Sequence, residues 1–375
     1  MEKLTPREKT QGIIDDRKHQ LQQKFDIDSG QGILPLTNEK FYEQSNPVVR
    51  SALFSSTKLG KNYTEWTPIF SFGASSIQYR GPALTVEHEL VLAKLMVLAR
   101  GKSLTKPINA FVTDIRRWLN LGESGINFAK ARRILDDLAA GEMKISDKFA
   151  LRRLYQILTA PSVSERPDGK FFKDYIDNRF SDQLKMIASA IESGEPIEIT
   201  MRFVSNRAAN PRTGRLLISL DPITAIFFDG VNTTMLPFEI WEAQDKFGKK
   251  LLSFIASHRD GVFPIKLENY HRFSGSISDF QVVKRRVKSD LKKRCEKWEK
   301  EDCIEPGWSF RENNDGEVLL EGLKLSKSIR MKSELTLEPF IEHENTDEKE
   351  AQGARITSEM TQSFLGPQYR QADKE

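Results

Sequence analysis

Cysteine is nearly absent. Cys295 and Cys303 stand eight apart in a chain of 375 residues, which excludes a disulfide framework. With no Cys-x-x-Cys pair and no paired histidine, it also speaks against a zinc site. Long apolar runs are missing too: no window approaches eighteen consecutive apolar residues, so a membrane span is excluded. The opening residues Met1-Glu2-Lys3-Leu4-Thr5-Pro6-Arg7 are charged and have no apolar stretch of signal-peptide type, so the expected location is the cytoplasm. No glycine-rich dinucleotide fingerprint occurs. What remains is 38% hydrophobic and 29% charged, enough apolar content for packed cores, at a length that suggests two domains.

Charge is unevenly spread. From Met331 to Glu375 ten acidic residues face five basic ones, a tail of −5, while residues 1–330 carry +9. A basic body with an acidic tail points to a polyanionic partner, nucleic acid first among them. A plain solubilising role suits the tail better than that of a DNA-mimicking brake.

One pattern occurs twice. After Pro107, Phe111, Val112, Ile115, Trp118 and Leu119 mark one face of a helix. The run Leu121-Gly122-Glu123-Ser124-Gly125 breaks it. A second helix follows with Phe128, Ala131, Ile134, Leu135 and Leu138 inward, and Lys130, Arg132 and Arg133 outward. Further on, Ile197, Ile199, Met201 and Phe203 alternate with polar residues. A loop over Asn206–Gly214 and a strand over Arg215–Leu220 complete the expected hairpin, whose tip carries Arg207, Arg212 and Arg215.

The second occurrence is tighter. A helix is expected from Phe247 to His258, a short strand over Val262–Ile265, a helix over Leu267–Phe273 and a long helix over Ser278–Lys300. The buried stripe of the long helix is Phe280, Val283, Val287, Leu291, Cys295 and Trp298. Trp308–Phe310 and Val318–Leu320 then flank Asn313-Asn314-Asp315-Gly316, a strong hairpin turn.

The expected class is therefore α+β, with two tandem winged-helix domains, each a helix-turn-helix plus a β-hairpin. Residues 1–49 read as a flexible N-terminal arm, 50–240 as the first domain, 241–326 as the second and 327–375 as a disordered acidic tail. An inserted helical hairpin is expected at about 148–193.

The most informative segment is Gln281–Lys300, where nine basic residues face three acids. With the stripe turned inward, Arg285 and Lys292 point away from the core. Gln281 and Lys288 lie on the flank, and Lys284 sits nearer the seam. A helix of this kind fits the major groove of B-DNA, where Arg or Lys reaches guanine O6 and N7. Ser278 and Ser276, at its start, are further candidates. Lys130, Arg132 and Arg133 form the weaker counterpart in the first domain. The Arg207, Arg212 and Arg215 hairpin tip suits backbone phosphates. The bland alternative for each set is a solvated basic face.

Nothing in the sequence reads as a catalytic site, and no cofactor or metal is called for. Gly101-Lys102-Ser103 resembles the end of a P-loop, but Met96 stands where its first glycine belongs. Five histidines include no His-x-His pair, which disfavours a metal-dependent nicking site. Ser257-His258-Arg259-Asp260 reads as a polar helix terminus, since adjacent residues cannot converge as a triad.

In order and spacing, a set of short segments resembles the TrfA family of plasmid replication initiators. They are Arg50-Ser51-Ala52-Leu53-Phe54, Tyr79-Arg80-Gly81, Glu89-Leu90, the helix around Leu119, Ile240-Trp241-Glu242, Ser257-His258-Arg259, Pro264-Ile265-Lys266-Leu267-Glu268 and the basic helix through Lys284. They span roughly residues 50–322. The resemblance implies binding to direct repeats (iterons) at a plasmid origin, local strand opening, and recruitment of the host replicative helicase and initiator. It also implies restraint by self-dimerisation. Two features depart from the family pattern. One is the insertion at 148–193. The other is Leu21-Gln22-Gln23-Lys24-Phe25, which keeps the closing Phe of a sliding-clamp motif but puts Lys24 at an apolar position, so a solvated arm is favoured over clamp binding. The competing expectation is a winged-helix transcriptional repressor that never opens DNA. A nicking enzyme or a partner-binding scaffold is more distant.

Overall fold

The computed structural model describes residues 40–57, 62–73, 76–99, 107–146, 182, 184–190, 192–194, 198–221, 224, 233–258 and 260–334. The arm before residue 40, Gly101-Lys102-Ser103, most of the expected insertion and the acidic tail lie outside them. The chain divides into two compact units: residues 34–153 with 197–334, and residues 1–33, 154–196 and 335–375. In the second of these, residues 184–190 are helical, with Leu184 and Ile187 buried. Among the described residues, no helix is long and apolar enough to cross a membrane.

The larger unit runs through β1 (Phe41–Ser45), α1 (Asn46–Val49), β2 (Tyr63–Ile69), β3 (Ser76–Gly81), α2 (Val86–Ala99), β4 (Ile108–Phe111), α3 (Val112–Trp118), α4 (Gly125–Ala140) and β5 (Glu142–Ser146). It continues through β6 (Ile199–Arg202), β7 (Val204–Ala209), β8 (Arg215–Leu220), β9 (Thr233–Pro237), α5 (Phe238–Glu242) and α6 (Lys246–Ala256). β10 (Ile265–Lys266), α7 (Leu267–Phe273), α8 (Phe280–Lys300), β11 (Ser309–Glu312), β12 (Val318–Glu321) and α9 (Lys327–Glu334) complete it. The fold is mixed α+β with small antiparallel sheets.

Two sets of elements share one connectivity. In the first module α2, β4, α3 and α4 are followed by the β7–β8 hairpin, with sheet order β4-β8-β7. In the second, α6, β10, α7 and α8 are followed by β11–β12, with sheet order β10-β12-β11. In both, the strand between the first two helices pairs with the last strand of the hairpin. Local chemistry explains the breaks. Asp114 accepts the Phe111 amide at 2.8 Å and starts α3, while Ser124 Oγ accepts the Asn127 amide at 3.3 Å and starts α4. Asp245 and Asp279 cap α6 and α8 in the same way, through the Gly248 and Gln281 amides.

The first hairpin differs from the sequence reading. Ile199–Arg202 belongs to a separate four-stranded sheet of order β2-β3-β5-β6, pairing Ile199 with Ile145, and the hairpin's first strand is Val204–Ala209. The alternation of Ile199 and Met201 reports burial correctly, but it does not say which sheet the strand joins. The turn is shorter than expected. Asn210 Oδ1 accepts the Arg212 and Thr213 amides at 3.0 and 3.1 Å, and Gly214 takes φ +70°. The expected strand over Val262–Ile265 is confined to Ile265–Lys266.

The ends also differ. Residues 41–49, expected in the flexible arm, form β1 and α1, and Tyr42 pairs with Leu236 of β9. The polar letters misled: Glu43 and Gln44 are buried, with Glu43 accepting from Thr233 Oγ1 at 2.8 Å and Gln44 Oε1 from the Ser45 amide at 3.0 Å. Lys327–Glu334, expected to be disordered, is helical, with Ile329 buried.

One core packs β1, Phe72 and the first half of α2 against the second module. Tyr42 stacks on Trp241 with centroids 4.3 Å apart, and Phe72 meets Phe254 and Phe273 at 4.5 and 5.1 Å. Trp241 and Trp298 are fully buried, and truncating either to Ala would cost about 3–5 kcal/mol. Segments that carry the family resemblance meet at this seam. Arg50 Nε donates to Ser257 Oγ at 3.0 Å, and Lys250 Nζ donates to Ser51 O at 2.5 Å. Ser56 and Thr57 bond the carbonyls of Ser274 and Gly275 in the α7–α8 turn. Gly275 has φ +77°, and a Cβ there would lie 2.4 Å from Ser55 Oγ, so only glycine lets the clamp close.

Candidate nucleic-acid interface

α8 is held by its second half. Leu291, Cys295 and Trp298 are buried, whereas Phe280, Val283 and Val287 are only half-buried and Val282 stands 82% exposed. With about 100° of turn per residue, Val282, Ser289, Lys293 and Arg286 fall within roughly 30° of the direction opposite this core. Arg285 lies roughly 70° from that direction and Lys292 roughly 90°, on the flank facing the β11–β12 hairpin. Gln281 and Lys288 turn further toward that hairpin, with Lys288 Nζ 5.5 Å from the Phe310 ring. Arg286 and Lys293, with Lys300 at the far end of the helix, are therefore the cations best aimed outward. All three belong to the basic run read from the sequence without being singled out there, although helical spacing from Leu291 carries the signal.

Pairing sorts these cations further. Arg286 is 81% exposed with Asp290 at 3.7 Å, and Lys292 is 61% exposed with Glu296 at 3.8 Å; both pairs are too exposed to hold a side chain against a better anion. Arg285 and Lys293 have no ion-pair partner among the described residues. Ser278 Oγ is engaged by His271 Nε2 at 3.0 Å and Ser276 Oγ at 2.8 Å. Lys284, half-buried, lies where its charge acts on Glu317.

The hairpin beside this flank is acidic. Ser309–Glu321 holds Glu312, Asp315, Glu317 and Glu321 against Arg311 alone. Glu317 accepts from Lys266 Nζ at 2.7 Å, and that bond, with another from Asn313, keeps its carboxyl below the usual range. On the opposite flank a groove of about 880 Å³ runs between α8 and the start of α6. Arg286, Lys293 and Lys297 line one side, and Lys246, Thr57 and Ser276 contribute elsewhere.

The first module presents fewer free cations. Lys130 is drawn toward α2: its Nζ lies 2.8 Å from Glu87, which also holds Lys246 at 3.0 Å. Burial alone would raise the Glu87 carboxyl, but these two lysines outweigh it and hold it low. Arg133 is 80% exposed beside Asp137 at 3.7 Å, and Arg132 is exposed at the rim of a cleft of about 190 Å³ with Phe128 and Arg212.

The hairpin arginines separate. Arg212 occupies the exposed turn, and Arg215 opens β8 with Nη2 on Asn109 Oδ1 at 3.0 Å. Arg207, expected at the tip, sits within β7 in register with inward-facing Ile218 and pairs with Asp136 of α4. Pleating decides this: Arg207 shares the face that packs on α4. Unlike the second hairpin, Val204–Leu220 contains three arginines and no acidic residue.

Ser257 and His258 are in contact, Oγ to Nδ1 at 3.0 Å, but the arrangement suits a helix end. His258 Nδ1 is also 2.9 Å from the Phe254 carbonyl, and Ser257 Oγ donates to that same oxygen at 2.7 Å. A ring nitrogen that donates to a carbonyl cannot accept a serine proton. Among the described residues, no group of three His, Cys, Asp or Glu is placed to hold a metal ion.

No family model matches this chain, and no curated protein matches it by sequence. Solved structures do show likeness. Domains 2 and 3 of RctB give a TM-score of 0.43 at 13% identity, over 76% of this chain and 99% of that one. A selenomethionine derivative of the same domains gives 0.41 at 12%, over 75% and 96%. The Pi initiator protein in complex with iteron DNA gives 0.36 at 13%, over 64% and 93%. All three scores lie below 0.5.

Proposed function

We propose that this chain is a sequence-specific double-stranded DNA-binding protein that initiates plasmid replication from repeated sites at an origin, with its two modules acting as tandem winged helices. The observation that carries the reading is the outer face of α8. Arg286 and Lys293 stand on that face and Arg285 and Lys292 on its flank, on an exposed helix whose core contacts lie mainly in its C-terminal half. A helix about 10–12 Å across matches the major groove of roughly 12 Å. Lys284, Lys288, Gln281 and Ser278 lie closer to the protein surface and supply secondary contacts.

Arg132, Arg133, Arg212 and Arg215 add phosphate contacts from the first module, whose hairpin carries no acid to oppose them. The second hairpin, with three acids around its turn, is repelled by phosphates and stays off the duplex. Iteron binding, strand opening, recruitment of the host helicase and initiator, and control by dimerisation extend this reading through the sequence resemblance to TrfA-type initiators.

Two measurements test it. Binding of the full chain to duplexes selected from a randomised library is compared with random DNA across a salt series. Specific affinity well above background, with log K falling at a slope of about −5 to −9 against log salt, is expected if several phosphates are engaged. Equal affinity for both DNAs would overturn the reading. Permanganate reactivity of supercoiled plasmid carrying the selected sites then reports strand opening; thymines that stay unreactive would leave a repressor.

A further inference from the structure

Three large apolar side chains of the described residues stand almost wholly in water: Ile277 at 90% exposure, Ile126 at 83% and Val282 at 82%. The next, Phe263, is at 54%. All three of the extreme cases occupy one topological place. Ile126 is the second residue of α4, Val282 is the third residue of α8, and Ile277 precedes that helix by three residues. These are the third helices of the two modules, so the feature occurs independently in each.

Val282 and Ile126 are each followed by cations on their own side of the helix. Arg285 and Arg286 lie one turn beyond Val282, and Arg133 lies two turns beyond Ile126, with the Glu87-paired Lys130 between them. Isolated aliphatics framed by basic residues do not make the broad apolar patch that a protein partner needs. They match a surface that offers small apolar groups beside phosphates. On the major-groove edge of B-DNA the thymine C5 methyl is that group, and residues near the start of a recognition helix are the ones that reach base edges.

We propose that Ile126 in the first module, and Ile277 and Val282 in the second, are specificity-determining residues that pack on thymine methyl groups, so that both modules read thymine-containing steps in the major groove. The proposal rests on the DNA-binding reading above and adds to it which base is read without a hydrogen bond.

The test uses the full chain and the tightest duplex recovered from a randomised library, with its thymines replaced one at a time by deoxyuridine, which removes only the methyl. At one or more positions affinity should fall about fourfold, the effect of one buried methyl. Val282→Ala should lose a similar factor on the thymine duplex and nothing further on the matching deoxyuridine duplex, and Ile126→Ala should do the same at a different thymine. Because these side chains touch little of the core, both variants should keep the wild-type urea midpoint. Losses that are the same on both duplexes, or absent, would overturn the proposal. So would a change in self-association of Val282→Ala in sedimentation without any change in DNA binding, which assigns the side chain to a second copy of the chain. A library that enriches no sequence would remove the DNA-binding reading itself, and this proposal with it.

Discussion

The guanidinium of Arg294 lies across the carboxylate of Asp245, Nη1 on Oδ1 and Nη2 on Oδ2 at 2.8 Å each, beside the bare Cα of Gly248. One carboxylate thus caps α6 through the Gly248 amide at 2.7 Å and pins α8 to it. Arg294 is only 17% exposed, so little water could replace this partner.

Asp245→Ala should destabilise the chain by about 2–4 kcal/mol, because it removes a cap and strands a largely buried guanidinium. Asp245→Asn keeps the cap and should cost less; urea titration measures both. Burial alone would raise the Asp245 carboxyl, but Arg294 and the Gly248 amide hold it low. A folded-state pKa below the unfolded value contributes stability above about pH 4 that is lost as pH falls further. Asp245→Asn should flatten that acid limb.

Gly248→Ala should also destabilise, although alanine is the better helix former by about 1 kcal/mol. Its Cβ would lie 2.6 Å from Arg294 Nη1 and 2.8 Å from Asp245 Oδ1, so the ion pair must shift to make room. A higher urea midpoint for this variant would show that α8 does not depend on the pair.

At the seam, burial pushes the Lys250 amine down to about 8 against the opposing pull of Glu89, and raises the Glu89 carboxyl. A lysine with a lowered folded pKa binds fewer protons folded than unfolded, so stability rises with pH between about 8 and 10.4. Relative to the double variant Glu89→Gln/Lys250→Met, which shares every other titrating group, wild type should gain stability over that window. Thermal unfolding at pH 8, 9 and 10 reads the difference.

The hairpin and helix cations should divide by function. Arg286→Ala and Lys293→Ala should each reduce the salt slope of DNA binding by about 1. Arg207→Ala should leave the slope unchanged and lower stability instead, since that side chain pairs with Asp136 on α4. An Arg207→Ala variant with a reduced slope and wild-type stability would put the side chain on DNA.

Cys295 and Cys303 are buried free thiols, and burial pushes Cys295 up to about 12. Both should react with thiol reagents only at the rate of unfolding, and urea should bring the two reactivities together. A fast phase in native buffer would place one of them at the surface.

Much of the local architecture was legible in the sequence. Apolar spacing along Phe280–Lys300 identifies the long basic helix, Ser124 and Gly122 mark the break before α4, and Asn313–Gly316 marks a hairpin turn, because helix periodicity, caps and turns are decided by residues close in the chain. Spacing from Leu291 also held the outward position of Arg286 and Lys293. Tertiary structure decided what distant residues do to one another. It took Ile199–Arg202 into a second sheet with β5, turned Arg207 inward onto Asp136, tied Lys130 to Glu87, and buried Glu43 and Gln44 in a strand that reads as a polar arm. A charged or polar letter shows that a side chain needs a partner; whether water, DNA or a residue far along the chain provides it depends on which surfaces the fold brings together.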